Sequence, residues 1–373
     1  MRLKRSSMWH LLPWLLSLSL GVAPGCDGGD GKGQPDASND ADAGAEQDAS
    51  EPDPEEDAAA DEEDAGGSDA GVPANGKGRV RGRVTYADGT AVGQVEISVG
   101  NKKVKSDSRG VFSADDLPEG ELEVSVENAG TSRAQLKVDT REDRVTQAEL
   151  FVLPLKKNGI ARADEASEIS AEGVKLRFPK GGLRIKGTQE AASGAADGNF
   201  AVVKDSRDLK AAPGRLKGSK DGRDVDLDCF GMIDVHLSQG ERELELSQDA
   251  ELDLPLGPNS FADGQEVEAW SFDVASGKWK SENRAVVDKS EGGNGVAKVK
   301  ATHFSWWTIA QPVAEQTCIS GRLASADAKP LPYLWVQSVA ASYWGTTWAQ
   351  TDADGRFCLS VRQGSSQSVS AFG

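Results

Sequence analysis

Histidine, cysteine and tyrosine are scarce in this chain: three, four and three residues out of 373. That scarcity removes most catalytic and metal chemistries before any motif is sought. The sequence has no His-Glu-x-x-His, no Cys-x-x-Cys and no Gly-rich phosphate loop, so zinc hydrolysis, dithiol redox chemistry and nucleotide handling lack their usual residues. His303 and Ser305 stand close together but outside a Gly-x-Ser-x-Gly elbow. Asp234 and His236 alternate with Ile233, Val235 and Leu237, which places that acid and base on one face of a strand. They read as a solvated or hydrogen-bonded strand face rather than a proton relay. No cofactor, no metal site and no catalytic residue is expected.

Basic stripes are missing too. The net charge is -18, and it is strongly localised. Residues 27–78 contain 17 acidic side chains against Lys32 and Lys77, whereas residues 1–26 carry only Arg2, Lys4 and Arg5 as charges. Without a cationic surface there is no counterion-release energy at phosphates, which argues against a nucleic-acid partner. Long hydrophobic runs are also absent. The stretch Trp9–Val22 is interrupted by Pro13, Ser17 and Ser19, and it falls short of the roughly 20 apolar residues of a membrane helix.

What is present begins with order. A basic start, a short apolar run and then Ala23-Pro24-Gly25-Cys26 follow the plan of an export signal. The placement of Cys26 resembles the lipobox of bacterial lipoproteins, with Ala23 and Pro24 departing from its commoner Leu and small residue. The resemblance implies a signal peptide over 1–25, acylation of Cys26 and an envelope location at the outer membrane or cell surface. An ordinary secretory signal is the alternative. Residues 26–78 are mainly Asp, Ala, Gly, Glu and Pro, with no aromatic and only Val72 among the branched apolar residues, a composition that cannot bury enough surface to order itself. They form an acidic disordered tether, able to span roughly 40 Å as a flexible chain. A calcium-buffering tail is the sharper reading, but Asp61-Glu62-Glu63-Asp64 lacks the Gly and spacing of an ordered calcium loop.

From Arg79 short alternating segments punctuated by Gly and Asp predict an all-β chain of tandem β-sandwich domains. Val80-Arg81-Gly82-Arg83-Val84 is answered by Ile319-Ser320-Gly321-Arg322-Leu323. The turn Asp107-Ser108-Arg109-Gly110 before Phe112 is answered by Asp352-Ala353-Asp354-Gly355 before Phe357. This is an internal duplication. Each turn reads as a hairpin, and a plain β-turn is favoured over a fragment of a calcium loop at Asp352–Gly355. The repeat resembles the carboxypeptidase regulatory-like domain, a transthyretin-like β-sandwich, over 79–155 and again over 314–373. That resemblance implies non-catalytic modules with structural or carbohydrate-contacting roles. Ile319 and Phe357 face the core by the repeat, so their neighbours Cys318 and Cys358 share the opposite face. A cross-strand disulfide between them fits an exported protein. The equivalent positions of the first copy are Arg79 and Ser113. Only 16 residues follow Phe357, against about 40 beyond Phe112, so the second copy is expected to lack its last strands.

Residues 156–313 are again strand-like, with residues 187–200 read as a Gly/Ala-rich loop. Phe230-Gly231-Met232, Trp270-Ser271-Phe272-Asp273 and His303-Phe304-Ser305-Trp306-Trp307 resemble the extracellular β-domain of the cartilage intermediate layer protein family, which brings no catalytic residues. Cys229 reads as a small buried hydrophobe. Seven of nine tryptophans lie between Trp270 and Trp348. They either fill sandwich cores or form a stacking platform, and Tyr343, Trp344 and Trp348 beside Gly345-Thr346-Thr347 are the best exposed candidates. The expected function is a non-enzymatic surface lipoprotein that binds or scaffolds, its partners a membrane through the anchor and a polysaccharide or surface protein. Carbohydrate binding through those aromatics is the alternative, and a carboxylate-dependent hydrolase in the middle domain is the second.

Overall fold

The computed structural model describes residues 17–19 and 77–372, apart from 129, 143 and 258–260. The signal-peptide, acylation and tether expectations at 1–25, Cys26 and 26–78 therefore lie outside the described residues, save for one strand, β1 (Ser17–Ser19), and for residues 77 and 78, the second of which already belongs to a strand. Everything from 77 onward is strand and turn except two 3-10 turns, Asp208–Ala211 and Pro213–Leu216. No described helix is long and apolar enough to cross a membrane.

Seven strands make the first copy: β2 (Gly78–Tyr86), β3 (Glu96–Val99), β4 (Lys102–Lys105), β5 (Val111–Leu117), β6 (Gly120–Asn128), β7 (Thr131–Thr140) and β8 (Val145–Val152). They form two sheets, ordered β5-β2-β8 and β4-β3-β6-β7. Between the sheets lies a core of Val80, Val84, Ile97, Phe112, Leu117, Val124 and Leu150. Period-two alternation puts these residues on the inner faces.

The middle region contributes β9 (Lys156–Arg162), β10 (Ser167–Ala171), β11 (Val174–Phe178), β12 (Leu183–Ile185), β13 (Ala195–Val202), β14 (Lys217–Lys220), β15 (Arg223–Gln239), β16 (Arg242–Leu246), β17 (Ala250–Pro255), β18 (Glu266–Asp273), β19 (Lys278–Asp288), β20 (Val296–Ala301) and β21 (Trp306–Pro312). They join in one 13-stranded sheet whose main path runs from β10 to β9. One set of its side chains packs into an apolar core that includes Phe178, Phe200 and Trp307, and another set, including Met232 and Trp270, joins a second core. Part of the Gly/Ala-rich stretch expected to be a loop is instead β13. Its small residues serve packing, because Ile169 presses on Gly159 and Gly198 so closely that a Cβ at Gly198 would lie 2.3 Å from it.

The second copy comprises β22 (Gln316–Ala324), β23 (Trp335–Ala340), β24 (Thr346–Gln350), β25 (Arg356–Arg362) and β26 (Gln367–Phe372). The duplication extends to individual hydrogen bonds. Asp107 Oδ1 accepts the N–H groups of Arg109 and Val111, and Asp352 Oδ1 accepts those of Asp354 and Arg356. Ser106 Oγ donates to Val92 O and accepts from Val95 N–H, as Thr351 Oγ1 does with Leu331 O and Leu334 N–H. Phe112 lies opposite Gly82 and Phe357 opposite Gly321. A Cβ on either glycine would sit under 3 Å from the ring, so only glycine admits it.

The Asp-Gly turns are not hairpins. β4 pairs with β3 while β5 pairs with β2, and the second copy repeats this. Each turn therefore carries the chain from one sheet to the other, with Gly110 and Gly355 at φ +78° and +75°, a conformation that favours glycine. Cys318 and Cys358 form a disulfide on the outer face of β22 and β25, with Cα atoms 5.6 Å apart.

Candidate functional site

Two junctions join the sheets, and both consume side chains with functional potential. At the first, β7 meets β15. The Arg133 backbone N–H donates to Asp234 Oδ2 at 2.8 Å, its Nε to Oδ1 at 3.1 Å, and its Nη2 to Val235 O at 2.9 Å. A further ion pair links Nη2 and Oδ1. Trp306 Nε1 donates to Arg133 O at 2.8 Å, and His236 Nε2 shares a 2.8 Å hydrogen bond with Asp234 Oδ2. Asp234 is fully buried. Burial opposes its charge, but Arg133 and His236 outweigh that and hold the carboxyl well below the usual carboxylate range. The expected hydrogen-bonded strand face is thus an interior ionic joint rather than a solvated one. No Ser, Thr or Cys donor bonds His236 among the described residues.

Beside it lies a cavity of about 190 Å³ lined by Glu127, His236, Glu241 and Glu243. Lys186 Nζ reaches both Glu127, at 3.8 Å, and Glu243, at 2.5 Å. Two carboxylates therefore do converge. Desolvation raises the Glu243 pKa, yet Lys186 more than reverses this and keeps it below its ordinary value. A general acid for glycoside cleavage requires the opposite shift. No cluster of three or more His, Cys, Asp or Glu suited to a metal occurs among the described residues.

The second junction is aromatic. Trp270, Trp279 and Trp306 are buried in a core completed by Phe151 of β8, by Leu153 just beyond that strand, and by Trp348 and Phe372 of the second copy. Phe151, Trp348 and Phe372 form a triangle with centroids 5.4–5.8 Å apart, one ring from each of β8, β24 and β26. The Arg215 guanidinium inserts 3.5 Å from the Trp335 ring and 5.0 Å from Trp348. Glu149 faces this seam. Desolvation raises its pKa to about 7, with Arg83 and Arg215 only partly offsetting the burial.

A cleft of about 500 Å³ remains where the 341–345 turn crosses the middle sheet. Tyr343 and Trp344 line it together with Phe230, Asp205, Ser206 and Ser342. Trp344 is fixed from below, since its carbonyl accepts the Cys229 N–H at 2.7 Å and its ring packs on Gly257. Arg362 lies 4.3 Å over the Tyr343 ring and ion-pairs with the buried Asp228. Cys229 itself is buried and free, its thiol pushed up to about 11 by desolvation.

Of the three aromatic candidates the structure brings Tyr343 and Trp344 to the cleft and turns Trp348 into the seam. Sequence reasoning missed Phe230, Asp205 and Arg362, which belong to segments far apart in the chain. Their convergence has no local signature.

No family model matches the chain, and no curated protein does. Among solved structures it is similar to BcpA, the major pilin subunit of Bacillus cereus, at 11% identity over 79% of this chain and 87% of that one, with a TM-score of 0.18. It is also similar to a Ca2+-stabilized adhesin that helps an Antarctic bacterium bind ice, at 9% identity over 80% of this chain and 98% of that one, TM-score 0.12. Scores of this size carry no argument about function.

Proposed function

We propose that the chain is a non-enzymatic binding and scaffolding protein, held at the bacterial envelope by a lipid on Cys26. The acidic tether 26–78 holds three β-units, 79–155, 156–313 and 314–373, away from the membrane. The observation that carries the reading is the fate of the reactive-looking groups. Asp234 and His236 serve an ionic joint, Cys229 is sealed, and most tryptophans weld the units together. The cleft at Tyr343 and Trp344 is the concavity that keeps aromatic side chains accessible.

A saccharide is the ligand class that this cleft favours. Aromatic faces cover the apolar side of a pyranose ring, while Asp205, Ser206 and Ser342 offer hydroxyl partners at the rim. Titration of the protein with a glycan array and then with each positive glycan in solution tests this. Binding that Trp344→Ala weakens at least tenfold supports it, and an array silent for both forms removes it. The anchor is tested separately by radiolabelled palmitate, which should label the wild type and not Cys26→Ala. Equal labelling of the two would end the lipoprotein reading.

A further inference from the structure

Two Asn-Gly pairs lie among the described residues, and the fold treats them in opposite ways. Asn158-Gly159 sits inside β9. Asn158 Oδ1 accepts the Phe200 N–H at 2.7 Å, and Gly159 stands opposite Gly198 in the ladder. Ile169 closes over that glycine, so a Cβ there would lie 2.9 Å from its side chain.

Asn294-Gly295 instead ends the turn between β19 and β20. Asn294 is exposed, and neither its carboxamide nor the Gly295 N–H has a hydrogen-bond partner among the described residues. Gly292, Gly293 and Gly295 take φ of +83°, +65° and +82°, a region that glycine enters without steric cost. For the Gly295 nitrogen to reach Asn294 Cγ, the backbone between them must rotate. A ladder forbids that rotation and a glycine-rich turn tip permits it.

We infer that Asn294 is a site of spontaneous modification, converted from amide to acid in the folded protein while Asn158 is spared. The Gly295 nitrogen bonds to Asn294 Cγ, the Cγ–Nδ2 bond breaks, and ammonia leaves with the amide proton. Water then opens the cyclic imide at one of its two carbonyls, which yields aspartate or isoaspartate without any oxidant or reductant. The product adds a carboxylate to a turn already carrying Asp288, which holds Lys298 at 2.6 Å, and Glu291, which ion-pairs with Lys175. Isoaspartate also lengthens the main chain just before Gly295, whose carbonyl accepts the Leu256 N–H at 3.1 Å. Gly257 follows Leu256 and supports the Trp344 ring, so conversion at the turn disturbs the floor of the cleft.

The test incubates the full chain in mildly alkaline buffer, folded or in urea, and maps its peptides by mass spectrometry. In the folded chain, conversion at Asn294 should outrun that at Asn158 by roughly tenfold or more, because opening a turn tip costs far less than opening a ladder. In urea the two rates should come together. Asn294→Ser should remove the converted peptide and leave the Asn158 rate unchanged. Hydrogen exchange at Leu256 should be faster in the converted fraction than in fresh protein. Equal rates at the two sites in the folded chain overturn the proposal, as does an Asn294 that stays intact while the urea sample converts.

Discussion

The two duplicated sandwiches share their turn chemistry, their glycine–phenylalanine contacts and their side-chain hydrogen bonds, yet they reach stability by different routes. The first has seven strands, a closed apolar core and no disulfide. The second has five among the described residues, with half-buried Ile319, Val369 and Ala371, a disulfide across β22 and β25, and an aromatic face welded to its neighbours. Their attachments differ as well, since the first meets the middle sheet through a buried ion pair as well as aromatic packing. Where apolar burial is thinner, a covalent cross-link or a neighbour's surface is what can replace it.

Breaking the disulfide should separate the two copies most clearly. Cys318→Ser with Cys358→Ser opens a cross-link of sequence separation 40, which in the chain-entropy picture costs about 4 kcal/mol. Hydrogen exchange should then rise across 316–372 while 78–152 stays protected; uniform loss would mean that the copies fold as one unit. Arg133→Met strikes the first copy instead. It leaves Asp234 buried with His236 alone, at a cost of about 3 kcal/mol read from urea midpoints. Because the Asp234 pKa is depressed, its contribution is present above the ordinary carboxylate range and fades only as pH falls well below it.

The glycines give a finer comparison. Gly82→Ala drives a methyl into the β8 backbone, whereas Gly321→Ala meets only the Phe357 ring among the described residues. The expected losses are about 3 and about 1 kcal/mol, and equal losses in urea unfolding would mean that the Ala148 carbonyl yields as easily as a ring. The smallest effect concerns pH. Glu149 has its pKa raised to about 7 in the folded chain, so its contribution is complete below the ordinary glutamate range and is lost as pH rises towards 7. The wild type should lose on the order of 1–2 kcal/mol over that interval, and Glu149→Gln should flatten this part of the curve.

Much of the fold was legible in the sequence. Alternation identified the strands of both copies, and the parity of Cys318 and Cys358 against Ile319 and Phe357 located the disulfide. Three readings went differently, each for a physical reason. The Asp-Gly turns looked like hairpins because local sequence reports a reversal without saying which sheet receives the next strand. Residues 195–202 looked like a loop because Gly198 and its alanines are small, although Ile169 requires that smallness. Trp348 looked exposed because its turn is polar, although Phe151, nearly 200 residues earlier, covers it. Of the cleft, Tyr343 and Trp344 were found in advance, while Phe230, Asp205 and Arg362 were not.

By itself the sequence determined what is short-range: strand periodicity, positive-φ turns, the acidic segment, the duplication and the scarcity of catalytic residue types. Those properties arise from steric and solvation preferences within a few residues. Only the tertiary structure decided that Asp234 is an ionic joint, that the tryptophans form a seam and that Phe230 and Arg362 meet Trp344 at one cleft. Burial and charge pairing depend on which distant surfaces meet, and Arg133 and Asp234 stand 101 positions apart.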